Sequence, residues 1–414
     1  MKMAGVSETP VLTSGTTLLL VIPAQLHASG GRLWLDRQAC SGLRHWLDHF
    51  DRLILCAPLA RRGEEPLPEG MDDLAALIPA ERIDVHPLPI AWTPLRCLRV
   101  LPSVRRVLAA QIHRATHCQF AIGGSWGDWG ALAAILAARL GRPFAIWTDR
   151  VESQVMRFQA REHDGPQRFY RRFNAWLAER LERFVIRRAA LGLFHGMDCY
   201  RAYARFSLAP QLVHDVHVGP EGRITPAALR TKSARAGGPL RIVYAGRVHA
   251  DKGPQDWLET LGQLAGRIDF TASWFGDGPL LAAMRREVAE RGLADRIAFP
   301  GNLDDHAALL AAMADADIFL FCHQTPESPR CLVEALLSGA PIVGYGSAYP
   351  AELIEAHGGG VLTSHDPAAL AAAVTQLACD RDRLAALYRA AAADGFPMID
   401  SALFARRAAL IGRL

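Results

Sequence analysis

The chain has 414 residues, half of them hydrophobic and a fifth charged, which is enough for two domains with separate cores and ordinary for an enzyme. Its longest apolar runs are strand-length, well short of the ~20 residues of a membrane span, so a helical membrane protein is excluded as an expectation. The net charge of +4 is uneven: residues 1–220 carry 27 Lys/Arg against 20 Asp/Glu, a balance of +7, while the remainder carries −3.

From the N-terminus, a single Lys and no long apolar stretch ahead of a small-residue cleavage site predict no signal peptide. Apolar runs then predict strands at Thr17–Ile22, Leu53–Cys56, Phe120–Gly123, Phe144–Trp147 and Leu191–His195. Between them, helices are predicted over Arg32–Phe50, Pro94–His117, Asp128–Leu140 and Arg168–Ala190, with a polar surface loop over Arg61–Gly70. Two of the helices are basic. Pro94–Arg114 holds five arginines and no acid. Arg168–Arg188 holds seven arginines against Glu179 and Glu182, interleaved with Phe169, Tyr170, Phe173, Trp176 and Phe184. Such a face suits an anionic membrane surface or a phosphorylated acceptor, or is a solvated arginine-rich helix. No compact nucleic-acid-binding signature accompanies it, so nucleic acid is not an expected partner.

Residues 219–239 are rich in Gly, Pro, Arg, Ser and Thr and predict an inter-domain linker. Beyond it, strands are predicted at Leu240–Ala245, Phe270–Phe275, Arg296–Phe299, Ile318–Cys322, Pro341–Gly344 and Gly360–Leu362. Helices alternate with them at Pro254–Ala265, Pro279–Arg291, Asp304–Ala314, Pro329–Leu337, Pro350–Ala356 and Pro367–Cys379. This alternation occurs twice, so the expectation is α/β, with two doubly wound domains whose strand ends face a common cleft. The eight cysteines are scattered without a C-x-x-C pair, which fits reduced thiols and argues against a zinc site.

Chemistry concentrates at the strand ends of the second half. After Leu240–Ala245 comes Gly246-Arg247-Val248-His249-Ala250-Asp251-Lys252-Gly253, a turn with two cations suited to a phosphorylated ligand. Lys252 is one of only three lysines, against 43 arginines, which suggests a need for a compact point charge. Phe275-Gly276-Asp277-Gly278-Pro279 and Phe299-Pro300-Gly301-Asn302 are further strand exits. In Thr325–Leu336, Ser328 is read as an N-cap and Pro329 as the first helical residue, leaving the amides of Arg330, Cys331 and Leu332 free for an anion. Glu334 falls two turns into that helix near an apolar face, where it needs hydrogen-bond partners, from a ligand or from the protein.

Together, in order and spacing, these segments resemble the family 4 glycosyltransferases, which have the GT-B fold of two Rossmann-like domains. The resemblance is strong over roughly residues 240–390. Over the first half it is confined to architecture and to Gly30-Gly31, taken as the glycine-rich loop after the first strand. It implies a first domain over 1–218 on the acceptor side, with a C-terminal helix over 398–414 packing back on it, and a nucleotide-sugar domain over 240–397. It further implies retaining transfer from a UDP- or GDP-linked sugar to a carbohydrate or lipid-linked acceptor in polysaccharide or glycoconjugate synthesis. The setting would be the cytoplasm or the inner membrane face. No metal or other cofactor is implied. Arg247 and Lys252 would neutralise the departing diphosphate, Glu334 would hold the ribose, Glu327 would address the donor sugar, and the amides around Arg330–Leu332 would meet the diphosphate. Gly30, Gly31, Gly246, Gly276 and Asn302 would line the donor site.

The sequence departs from the family in two places. Six residues rather than seven separate Glu327 from Glu334, which opens the role of Glu327. Where many relatives have a histidine, this chain reads Trp147-Thr148-Asp149-Arg150, so that Asp149 either steers the acceptor hydroxyl or is a solvated loop residue. A non-catalytic nucleotide-sugar-binding subunit and a sugar-nucleotide epimerase are the alternatives.

Overall fold

The computed structural model describes residues 15–60, 67, 68, 70–235, 237–303 and 305–414. The reading of the N-terminal segment and most of the loop expected over 61–70 lie outside those residues.

The first domain contains β1 (Thr17–Val21), β2 (Leu26–Ser29), β3 (Arg32–Asp36), β4 (Arg52–Ala60), β5 (Met71–Asp73), β6 (Ile83–Pro89), β7 (His117–Ala121), β8 (Ala145–Thr148), β9 (Leu191–His195) and β10 (Pro210–Val213). Its parallel sheet runs β6-β4-β1-β7-β8-β9-β10. In β1 the side chains alternate between two buried faces. Leu19 and Val21 enter one core with Ile54, Cys56 and Phe120, while Leu18 and Leu20 enter the other with Leu53, Leu55 and Trp46. Burial on both faces explains why the strand reads as a continuous apolar run.

The segment expected as one long helix from Arg32 begins instead as a strand. β2 and β3 form an antiparallel hairpin joined by Gly30-Gly31, both with positive φ (58° and 73°), a turn that glycine adopts without strain. β2 extends the far end of β4, and β5 closes the other side of β3. The helix Arg37–Leu47 starts only after Asp36, whose carboxylate accepts from the amides of Gln38 and Ala39.

The second domain is a sheet of β11 (Leu240–Ala245), β12 (Phe270–Phe275), β13 (Ile297–Gly301), β14 (Ile318–Phe321), β15 (Ile342–Tyr345) and β16 (Gly360–Thr363), all parallel, in the order β13-β12-β11-β14-β15-β16. In both sheets the order reverses at the first strand of the domain. Each switch point places a crevice at the carboxyl ends of the flanking strands, where ligands of open α/β sheets bind.

Residues 219–239 are not a free linker. Thr225 caps a helix Pro226–Ser233 that packs on the helix Arg381–Gly395, and Val216 and Val218 already belong to the second core. The helix reads as polar because it lies on the surface and turns only a narrow face inward. One buried residue on that face is Lys232, whose ammonium sits 4.8 Å from the Tyr388 ring with no hydrogen-bond partner among the described residues. Burial pulls its pKa from 10.5 down to about 7. The folded state therefore disfavours the charged form, a cost absent above the unfolded pKa and growing as pH falls towards the folded one. Lys232→Met should raise the unfolding temperature by several degrees at pH 6, with a gain of up to about 4 kcal/mol that fades as the pH approaches 10. An equal melting shift at both pH values would contradict this origin.

The chain returns to the first domain at its end. The helix Asp400–Ile411 places Phe404, Ala408 and Ile411 in the core around Trp46 and Leu47.

Candidate functional site

The loop after β11 is held against the loop after β12. Gly246 N–H donates to Phe275 O and Val248 N–H to Asp277 O, both at 2.9 Å, continuing the strand pairing beyond the sheet. The approach is so close that a Cβ on Gly276 would lie 2.2 Å from the Gly246 carbonyl oxygen. Glycine there is a steric requirement. Arg247 projects from this platform, exposed and with no ion pair among the described residues.

Lys252 closes the single turn Ala250–Lys252, ahead of Gly253 in the left-handed region and the helix Pro254–Leu264. Its Nζ donates to Glu327 Oε1 at 2.6 Å. Both side chains are largely buried. Burial pushes the Glu327 carboxyl up, and Lys252 opposes that shift. Behind the pair, His323 is hydrogen-bonded to the Tyr244 hydroxyl at 2.8 Å, and burial drives its pKa well down, so it is neutral. Glu327 is thus committed to Lys252, and its backbone bridges to Arg150 of the first domain.

The helix Arg330–Leu337 has Pro329, not Ser328, at its N-cap position. Ser328 Oγ instead donates to the His195 carbonyl at 2.6 Å, and His195 Nε2 lies 2.9 Å from the Ser328 carbonyl. The Asp215 amide donates to His195 Nδ1, so the ring proton is on Nε2. Burial lowers the His195 pKa to about 4, which keeps this inter-domain clasp neutral. Leu332 is fully buried and its amide donates to Pro329 O, so it contributes neither side chain nor free amide to a ligand. Glu334 is 5% exposed and accepts from His306 Nε2 at 3.1 Å.

Gly246, Arg247, Lys252, Gly276, Asn302, Arg330, Cys331 and Glu334 come together around one cavity of about 830 Å³. Its opposite wall is Asp36, Arg37, Gln38 and Ser41 of the first domain, with His217 from the crossover. Gly30 and Gly31 are not part of that wall, because they form the exposed tip of the β2–β3 hairpin. The wall is the helix start that follows the hairpin, and the sequence signal for it was the N-cap pattern Asp36-x-Gln38. Glu327 and Leu332 do not line the cavity either.

A second cavity of about 560 Å³ adjoins the first through Asp36, Gln38, His217 and Arg330, and lies wholly against the first domain apart from Arg330 and the C-terminal helix. Asp149 lies on its edge with a 62% exposed side chain, 3.9 Å from His195 Nε2. Gln25 and Gln119 line it, with Trp46, Trp147 and Phe404 as aromatic walls, and the buried Gln119 Oε1 has no partner among the described residues. Arg407 is buried beside it, paired with Asp215 at 2.8 Å. Burial favours the protonated form of Asp215, but Arg407 and His217 outweigh it and hold the carboxyl well below its usual range. Among the described residues no group of three or more His, Cys, Asp or Glu side chains is placed to hold a metal ion, and no helix is long and apolar enough to cross a membrane.

Residues 239–380 match the family model described as Glycosyl transferases group 1. The chain is 32% identical over 235 residues to the 2-deoxystreptamine glucosyltransferase of Streptomyces kanamyceticus, covering 53% of this chain and 57% of that one. The chain spans about half the length of the curated relatives it matches. Among solved structures, Anabaena HepE in complex with UDP-glucose superposes with a TM-score of 0.63 at 17% identity, covering 95% of this chain and 98% of that one. Sucrose-phosphate synthase from Thermosynechococcus elongatus superposes with a TM-score of 0.66 at 14% identity, over 96% and 98% of the two chains. The two facing domains form a GT-B fold.

Proposed function

We propose that the protein is a glycosyltransferase of the family 4 type, moving a sugar from a nucleotide sugar to an acceptor with retention of configuration, without a metal or other cofactor. The observation that carries this reading is the single cavity lined by Arg247, Lys252, Arg330 and Glu334 of the second domain, large enough for a nucleotide sugar. Arg247 and Lys252 stabilise charge as it develops on the departing diphosphate, in a site partly shielded from water. The first amides of the helix Arg330–Leu337 add the positive end of its dipole. Glu334 keeps one oxygen for the ribose hydroxyls. The acceptor, carbohydrate or lipid-linked, occupies the second cavity, with Asp149 at its mouth to orient the attacking hydroxyl.

The engagement of Glu327 with Lys252 favours one other reading, a nucleotide-sugar-binding subunit that does not turn over. Incubating purified protein with UDP- and GDP-sugars and following release of free sugar or nucleoside diphosphate separates the two. Binding without any release over many hours would sink the enzyme.

The basic helices support a lipid-facing role in the same reading. Leu95 and Leu98 on Pro94–Arg114, and Phe169, Phe173 and Trp176 on Gly165–Ile186, are exposed among arginines on helices that both pack against Trp129–Arg139. Each arginine near an anionic surface is worth about 1 kcal/mol, which favours placement at the inner membrane face. Sedimentation with anionic but not neutral vesicles, lost in Arg99/Arg105/Arg106→Ser, is the expected result. Equal sedimentation with both would leave these as solvated faces.

A further inference from the structure

We propose that His306 sets both the aim of Glu334 and the net charge of the pair the two form, so that the cavity grips an anionic nucleotide sugar more tightly when His306 is protonated. The inference rests on the donor reading above and concerns a residue to which that reading gives no role. His306 opens the helix His306–Asp315, 28 positions before Glu334, and lines the same cavity between Leu303 and Leu309. Its Nε2 is 3.1 Å from Glu334 Oε1, and it is the only hydrogen-bond partner of the Glu334 carboxylate among the described residues. The carboxylate side chain is 7% exposed, while the imidazole is 36% exposed and reaches solvent through the cavity. A buried carboxylate with a single donor is oriented by that donor, with its second oxygen left for a ligand.

Charged groups surround the ring on several sides. Glu334 and Arg330 face it from the helix Arg330–Leu337, and Asp305 precedes it. Arg247 and Lys252 share the cavity from the loop after β11, and Asp36, Arg37 and His217 share it from the opposite wall. The hydrogen bond to Glu334 is the strongest influence and raises the His306 pKa, against burial and Arg330. With His306 protonated, the pair is neutral and the cations act on a diphosphate without opposition. With His306 neutral, the bare Glu334 charge stands in the same cavity and repels it. By reciprocity, binding of the anionic donor draws the proton onto His306.

UDP-glucose is a suitable probe, because both its phosphates are diesters and hold no proton between weak acid and weak base. Calorimetric titration of the full chain at about pH 6 and about pH 8, short of the ionisation of the uracil N3–H, should show wild-type Kd rising roughly three- to tenfold. His306→Gln retains an N–H donor for Glu334 but cannot be protonated, so its Kd should be flat with pH and near the wild-type value at the alkaline end. His306→Leu should bind weakly at both pH values, and melting curves will show whether it is folded. A His306→Gln profile that tracks wild type overturns the proposal, as does wild-type affinity in a folded His306→Leu. If neither UDP-glucose nor any other nucleotide sugar binds, the donor reading falls and takes this inference with it. Binding with an unchanged pH profile overturns this inference alone.

Discussion

Arg247→Ala and Lys252→Ala should each lower kcat/KM for sugar transfer about 10²–10³-fold, the loss expected for removing one charge-stabilising donor from a preorganised site. The two variants should differ in stability. Arg247 is exposed and unpaired among the described residues, so its removal leaves no buried group without a partner, and the melting temperature should hold. Lys252 is the counter-ion of a buried carboxylate, and Lys252→Ala strands Glu327, at a cost of several kcal/mol. The double variant Lys252→Met/Glu327→Gln removes both charges and should recover much of the stability without recovering turnover. Lys252→Arg should also fail. The ammonium occupies a site 12% exposed with Glu327 at 2.6 Å, and a planar guanidinium needs more room than that. The measurements are steady-state kinetics alongside thermal unfolding. Turnover within threefold of wild type in Arg247→Ala, or in the double variant, would remove these side chains from the chemistry.

Arg407→Ala should destabilise the protein by about 3–5 kcal/mol, because removing one partner of a buried ion pair leaves the other uncompensated. Arg407 comes from the C-terminal helix and is 3% exposed. Its guanidinium meets Asp215 at 2.8 Å and lies 4.0–5.1 Å from the rings of Phe404, Trp147 and Trp46. The Asp215 pKa is depressed on folding, so the pair's contribution is complete above the unfolded carboxylate value of about 3.9 and is lost only in stronger acid. Urea unfolding at neutral pH therefore reads the full effect. Arg407→Lys keeps the charge but loses the planar stacking, and should fall between. A loss below about 1 kcal/mol for Arg407→Ala would mean that water reaches Asp215 and replaces the arginine.

The second domain was legible because its strands are short, largely apolar runs alternating with helices, and β11 and β12, each followed by a glycine, match their expected bounds residue for residue. The first domain hides its signals. β6 was missed because Pro87 and Pro89 argue against a strand, yet it lies at the edge of the parallel sheet, where prolines are tolerated. β3 was absorbed into the following helix because Leu33, Trp34 and Leu35 continue its apolar pattern, and only the Gly30-Gly31 turn separates them. The same misreading moved the donor-side wall to the glycines and away from Asp36 and Gln38. In the cavity, Arg247 and Lys252 were found because they lie in a recognisable turn at a strand end, and Glu334 because a carboxylate on the apolar face of a helix needs a partner. His306 was not found, because nothing local relates it to Glu334. The clasp between His195 and Ser328, 133 positions apart, was hidden for the same reason.

The chain passes between the two domains twice, once after β10 and once before Asp400, and the two passages touch: the Asp400 amide donates to the Val218 carbonyl at 3.1 Å. Arg223 also ties the first passage to the second through the Phe396 carbonyl. Two strands side by side act as a pivot with one easy axis, unlike a single tether, which would permit swivelling in any direction. Travel about such an axis grows with distance from it. The pivot is beside β10, and the β2–β3–β5 flap is at the other end of that sheet. The helix Arg37–Leu47 rests on the pivot itself, with His45 Nε2 3.1 Å from Asp400 Oδ2, so the Asp36–Ser41 wall lies near the axis and the β2–β3 hairpin tip travels farther than the wall. The residues near the pivot, His195 and Ser328 among them, barely shift.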